Sequence, residues 1–214
     1  MGLWRACLCL ESVQPAGGKH TSVIRRRDTK IRVQSMIDSV HTPKGTVIIR
    51  EASLADVNQF RDLRLFALKD SPTSFSADYR TIFDLPTSYW EDRLKPTVLG
   101  TTFFAEGNSK LVGMTGIRRG DSPKTKHGAG IWGVFIRPEW RGLRIAQGLI
   151  NMCCEWAKLH EVQILKLAVV STNESAIRLY ERSGFIIYGT EPRALYYDNQ
   201  YFDELWMSRS LFDS

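Results

Sequence analysis

Two hydrophobic periods alternate along the chain. IWGVFI at residues 131–136 is an apolar run of strand length, and it stops before Pro138, which has no N–H to give to a ladder. After the basic turn RPEWRGLR, apolar residues recur at three- and four-residue steps (Ile145, Leu149, Met152, Trp156, Leu159). This predicts a helix from about Ile145 to His160 with one core-facing stripe. ILKLAVV at residues 164–170 is rich in β-branched and aliphatic residues and reads as a strand. Strand, helix and strand in this order predict a parallel crossover unit. A shorter helical pattern follows, with Asn173, Ala176 and Tyr180 on one face.

Upstream, TVIIRE (residues 46–51) reads as a short first strand, and Ser53-x-x-Asp56 resembles a capping box opening a helix with Val57, Phe60, Leu63 and Ala67 on its apolar face. LRLFALKDSPTSFS and TSYWEDRL carry this helical region onward. VLGTTFFAEG and KLVGMTGIRR predict a hairpin around Gly107-Asn108, and residues 121–126 form a polar loop. EPRALYYDNQYFDELWMSRSL predicts a last antiparallel pair turning at Asp198-Asn199.

The turn through Arg141 and Gly142 into a helix beginning near Arg144 is a candidate anion site. The first N–H groups of a helix are unpaired and lie at the positive end of its dipole, so a phosphate there is stabilised twice over. Neither a Gly-rich loop ending in Lys-Ser or Lys-Thr nor a G-x-G-x-x-G is present, which argues against a P-loop nucleotidase and a dinucleotide oxidoreductase.

Two motifs give this region a family resemblance. Residues 141–146 resemble the [QR]-x-x-G-x-[GA] pyrophosphate loop of the GNAT superfamily of acetyl-CoA-dependent N-acetyltransferases, with Arg144 standing where that family has glycine. Asn173, Ala176, Leu179, Tyr180, Gly184 and Phe185 match its N-x-x-A-x-x-L-Y-x-x-x-G-F pattern at every specified position. The resemblance implies an α/β (α+β) GNAT fold: a mixed, mostly antiparallel, splayed sheet flanked by helices, with a β-α-β unit binding acetyl-CoA. It implies cofactor contacts from Val134, Phe135 and Ile136 of the strand, from Arg141, Gly142, Arg144, Ala146 and Gln147 of the loop, and from Asn173. It further implies direct attack of a neutral amine on the thioester, with the Tyr180 hydroxyl protonating the departing thiolate. A Cβ at Arg144 strains the loop if its backbone needs positive φ, and its side chain either points away from the cofactor or contacts its phosphates.

Many members of the family carry a glutamate base on the strand before the loop, but GAGIWGVFI contains no acid. His127, Glu191, Asp203 and Glu204 are the remaining candidates, and none stands out. Tyr196, Tyr197, Tyr201 and Phe202 in the last hairpin form either an aromatic wall on the acceptor side or ordinary cross-strand packing.

Composition narrows the picture. The 214 residues are 43% hydrophobic and 11% aromatic, enough for one sizeable core. The chain carries a net charge of +6, of which residues 1–46 hold +5, from eight basic residues against Glu11, Asp28 and Asp38. Residues 1–46 are therefore read as a basic, disordered extension and residues 47–214 as the catalytic domain, near neutral. A nucleic-acid groove is not expected, because the charge lies in the tail. The Arg-rich start also permits a presequence, and Met-Gly with Cys7 and Cys9 permits lipidation, although Ala6 departs from the myristoylation pattern. Translation from Met36 is a further alternative. Four cysteines in a chain this long read as free thiols, in keeping with a reducing cytoplasm, and no metal or membrane span is expected.

The expected function is acetyl transfer from acetyl-CoA to a small primary amine. A protein N-terminal or lysine acetyltransferase and a non-catalytic acyl-CoA sensor are the alternatives, and family precedent allows a homodimer.

Overall fold

The computed structural model describes residues 36–95 and 97–212. Strands β1 (Ile37–Thr42), β2 (Gly45–Glu51), β3 (Gly100–Gly107), β4 (Lys110–Arg119), β5 (Gly128–Ile136), β6 (Ile164–Val170), β7 (Ile186–Tyr197) and β8 (Gln200–Ser210) form one sheet. Their order across it is β1-β2-β3-β4-β5-β6-β8-β7. The expected α+β class, with a mixed and mostly antiparallel sheet, is what the chain adopts: among these neighbours only β5 and β6 run parallel. That pair is bridged by helix α4 (Ile145–Leu159), which completes the expected crossover.

β5 and β6 are in register only from Gly128 to Gly130 against Ile164 to Lys166. Beyond that point they diverge, while β6 stays paired with β8 along its length. A bulge in β5 helps to open the wedge. The β4–β5 register shifts between Met114 and Gly116, and Gly133 takes φ +67°, a backbone conformation that glycine adopts without steric cost. The Thr115 hydroxyl donates to the Trp132 carbonyl at 3.2 Å across the irregularity.

Both faces of the sheet are covered, and successive residues divide between them as the pleat requires. Phe103 and Ile136 join the core under α4, while Phe104 and Phe135 join the core under helices α1 (Val57–Asp70), α2 (Tyr79–Ile82) and α3 (Thr87–Leu94). Helix α5 (Glu174–Arg182) packs Ala176, Ile177 and Leu179 on the α4 side. Gly148 of α4 lies so close to β2 that a Cβ there would stand 2.4 Å from Ile49 Cδ1.

Several expectations are corrected. The domain boundary at residue 46 falls inside a hairpin, because β1 pairs with β2 through a turn at Pro43-Lys44 and TVIIRE is the second described strand. Six half-polar residues carry no clear period, so β1 is defined by its partner. Residues 1–35, including Cys7 and Cys9, lie outside the described residues. The β3–β4 turn is centred on Asn108-Ser109, both with positive φ, one residue later than expected. Leu159 is exposed at the end of α4, and the stripe closes instead through Cys153 and Ala157. The capping aspartate does more than expected: Asp56 accepts from the Ser53 N–H at 2.8 Å and also takes both terminal nitrogens of Arg50.

Candidate active site

The wedge between β5 and β6 is a cleft of about 960 Å³, walled by β5, β6, the loop before α4, α5 and the segment after α1. Every residue expected to touch cofactor or reacting atoms lines it: Val134, Phe135, Ile136, Arg141, Gly142, Arg144, Ala146, Gln147, Asn173 and Tyr180.

The loop is built for an anion. The Trp140 and Arg141 N–H groups turn back onto Arg137 and Pro138, and the first bond that closes within the helix runs from Gly148 N–H to the Arg144 carbonyl. Between them, the N–H groups of residues 142–147 meet no hydrogen-bond acceptor among the described residues. Gly142 at φ +75° and Arg144 at φ +61° turn the chain so that these donors open into the cleft. A pyrophosphate would satisfy them, and the helix dipole adds to the attraction. The positive φ at Arg144 is the strain anticipated for a residue in the glycine's place. Its guanidinium is exposed and has no ion-pair partner among the described residues.

Three side chains, on the loop, on α4 and at the start of α5, are engaged in hydrogen bonds around the cleft. Arg141 Nε donates to the Ile136 carbonyl at 3.1 Å, and its terminal nitrogen pairs with Asp70, so this side chain ties the loop to β5 and α1. Gln147 donates to Asn151 at 3.0 Å and accepts from Ser183 at 3.2 Å, leaving its backbone N–H for a ligand. Asn173 is the N-cap of α5: its Oδ1 accepts from Ala176 N–H at 3.2 Å and Ser175 Oγ at 3.0 Å, and its amide nitrogen faces Ser74 at 3.5 Å, a long contact that a ligand acceptor could replace. On β5, the Phe135 and Ile136 side chains enter opposite cores, so the backbone is what they offer to the cleft.

Tyr180 is buried on α5 with its ring edge-on to Phe185, and its hydroxyl makes no hydrogen bond among the described residues. Burial, with the neighbouring Cys153 thiol, pushes its phenol well above the ordinary tyrosine value. It therefore stays protonated at neutral pH and is available as a donor.

No carboxylate or imidazole is among the described residues lining the cleft. Among the four candidate bases, Glu191 accepts from the Trp206 indole at 3.2 Å and Asp203 from the Arg193 N–H at 2.7 Å. His127 precedes the far end of β5, and Glu204 sits opposite Glu191 in the last hairpin. Tyr196 and Tyr201 pack on each other at 4.9 Å at the hairpin's exposed tip, and none of Tyr196, Tyr197, Tyr201 and Phe202 is among the residues lining this cleft. Ser71, Ser74, Phe75 and Trp132 line the site without having been anticipated. The one available signal upstream was Arg64, a charge at helical spacing on the apolar face of Phe60, Leu63 and Ala67.

A strand wedge with a bulged edge, an open helix N-terminus at one end and a buried phenol on the wall together define an acyl-CoA-type transferase. Residues 65–185 match the acetyltransferase (GNAT) family, and the chain belongs to it: it is an acetyl-CoA-dependent N-acetyltransferase of that family. It is 27% identical over 126 residues to the L-amino acid N-acetyltransferase AaaT of Escherichia coli, covering 56% of this chain and 74% of that protein. It is 28% identical over 160 residues to an uncharacterized N-acetyltransferase of Methanocaldococcus jannaschii, covering 74% and 69%. A GNAT-family acetyltransferase structure from Streptococcus pneumoniae superposes with a TM-score of 0.68 at 23% identity, over 77% of this chain and 98% of that one. The acetyltransferase yncA of Salmonella typhimurium, solved with acetyl-CoA, superposes with a TM-score of 0.68 at 17% identity, over 78% and 95%.

Proposed function

We propose that this enzyme transfers the acetyl group of acetyl-CoA to the primary amine of a small molecule by direct attack, with Tyr180 as the acid. The N–H groups of residues 142–147 hold the pyrophosphate, Arg144 adds a charge contact, and Asn173 with the backbone of Val134 to Ile136 aligns the pantetheine and polarises the acetyl carbonyl. The amine nitrogen bonds to the carbonyl carbon, the carbon–sulfur bond breaks, and the thiolate takes the Tyr180 proton. With no carboxylate or imidazole among the described lining residues, the surplus amine proton leaves to water, which also reprotonates Tyr180.

The observation that carries this reading is the run of unpaired N–H groups at one end of the cleft that also holds the Tyr180 phenol. A small amine is favoured by the relative named as an L-amino acid N-acetyltransferase. The buried, unpaired thiols of Cys153 and Cys154 suit a reducing cytoplasm.

The test is calorimetric titration of the full chain with acetyl-CoA, desulfo-CoA and ATP, followed by CoA release across panels of metabolite amines and peptides. Saturable acetyl-CoA binding that ATP does not mimic, with turnover of small amines, supports the proposal. Turnover of peptides alone would transfer it to protein substrates, and binding without turnover of any amine would make the chain a sensor.

A further inference from the structure

Arg64 lies in α1 facing the sheet, with its guanidinium carbon 4.5 Å from the Phe75 ring centroid. Its Nη1 is buried and has no hydrogen-bond partner among the described residues. The nearby charge is of the same sign: Arg93 of α3, which lies over the Tyr89 ring at 4.3 Å and donates to the Tyr89 hydroxyl at 2.5 Å. Burial, and then Arg93, push the Arg64 guanidinium down to about 10. Among the described residues no carboxylate bears on it, only the Tyr89 phenol works the other way, and Asp70, on the same helix, is taken by Arg141.

A guanidinium serving only to pack would have its rigid fork of donors satisfied. A buried cation with an open donor and a second cation beside it is destabilising by itself, and an anion arriving there relieves the cost. The location says what kind of anion. A Cβ placed on Gly133 would lie 3.9 Å from Arg64 Nη1, so the open donor stands in contact distance of the β5 bulge. Phe75 and Gly133, its two neighbours, line the cleft, and Arg64 itself does not, so its guanidinium is reached past them. The next residues, Val134 to Ile136, are those proposed to hold the acetyl group, and a strand advances roughly 3.3 Å per residue. The segment proposed to hold the acetyl group thus begins one residue, roughly 3.3 Å, along the strand from Gly133, within the span of a small amino acid.

We propose that Arg64, supported by Arg93, binds a carboxylate on the acceptor, so that the acceptor is an amine with its carboxylate on the same or the next carbon, as in an amino acid. The inference rests on the amine acetyltransferase reading and narrows its substrate class. Arg64 is then the specificity-determining residue, and Phe75 holds its guanidinium flat.

The decisive comparison uses the full chain at saturating acetyl-CoA and follows CoA release with L-amino acids, each set beside its carboxamide and its decarboxylated amine. The acid should exceed the carboxamide in kcat/KM by roughly 100-fold or more, because the amide leaves the buried cation unpaired, and the difference should lie in KM. In Arg64→Gln the ratio should fall towards one, with acetyl-CoA affinity within twofold of the parent showing that the variant is folded. If that variant does not fold, the acid-against-amide ratio of the parent decides alone. Equal kcat/KM for acid and amide, or turnover confined to polyamines and other uncharged-tail amines, would overturn the carboxylate site and leave the acetyltransferase reading standing. Acetyl-CoA binding with no turnover of any amine would instead bring down that reading, and this inference with it.

Discussion

The carboxylate of Asp70, the last residue of α1, pairs with the guanidinium of Arg141 in the loop that opens α4. The contact joins the helix bearing Arg64 to the loop whose N–H groups are proposed to hold the cofactor phosphates. Burial pushes the Asp70 carboxyl up, but the Ser71 hydroxyl at 2.8 Å and Arg141 outweigh it and hold it below the ordinary carboxylate value. A depressed carboxyl stabilises above its unfolded value, near pH 4, and loses that contribution as pH falls further. Arg141 is half exposed, so Asp70→Asn should cost less than about 1 kcal/mol at pH 7. Urea titrations of parent and variant should show the gap narrowing as pH falls below 4.

Arg144→Gly should stabilise the free protein by about 0.5–1 kcal/mol, since relief of a left-handed non-glycine residue exceeds the entropy added to the unfolded chain. Arg144→Ala keeps the strain and removes the charge, so the unfolding midpoint should stay put. Both variants should bind acetyl-CoA roughly fivefold more weakly if the guanidinium meets phosphate. Calorimetry beside denaturant titration separates the two effects.

Tyr180→Phe should lower kcat by roughly 100-fold or more while acetyl-CoA affinity stays within twofold. Its hydroxyl has no hydrogen bond to lose among the described residues, so stability should change little. Unchanged turnover with intact binding would remove Tyr180 from the mechanism.

Alkaline pH should destabilise the fold. Burial raises both the Cys153 thiol and the Tyr180 phenol, so the native state keeps protons that the unfolded chain gives up. Their contribution is complete below the unfolded values, about 8.5 and about 10, and declines as pH rises through them. The urea midpoint should be flat from pH 7 to 8 and fall by pH 10.5, and a level profile would contradict buried neutral groups.

Gly148→Ala sets helix propensity against packing. Alanine favours the helix by about 1 kcal/mol, but its Cβ meets Ile49 Cδ1 at 2.4 Å and Val40 Cγ2 at 3.1 Å, and Ile49 is fully buried. Overpacking should win by about 1 kcal/mol. Adding Ile49→Val should recover part of the loss, which a double-mutant cycle would read as coupling.

Much of this was legible in advance where the signal is local. The apolar runs on either side of a 3.6-period stretch around residues 131–170 placed α4 and β6 within a residue and the end of β5 at Ile136, although β5 begins three residues earlier, at Gly128, because each segment's burial pattern is written in its own side chains. Asp198-Asn199 was legible as a turn because positive φ at both positions favours such residues, and both have it. The loop from Arg141 and the pattern from Asn173 to Phe185 named residues that the fold brings to one cleft.

The features that were missed or left open depend on partners far along the chain. β1 is a strand because β2 lies beside it, and the tyrosines of β7 and β8 stack at an exposed tip because the hairpin extends past the cleft. By itself the sequence determined the crossover unit, the open helix start and the residue types around it, since hydrophobic period, capping and turn preference act over a few neighbours. Only the tertiary structure decided that β5 parts from β6 beyond Gly130, that Arg144 takes a left-handed backbone, and that the Arg64 Nη1 atom is buried near Gly133 without a partner among the described residues. Those are distances between segments tens of residues apart, set by how the whole sheet packs against its two helical layers.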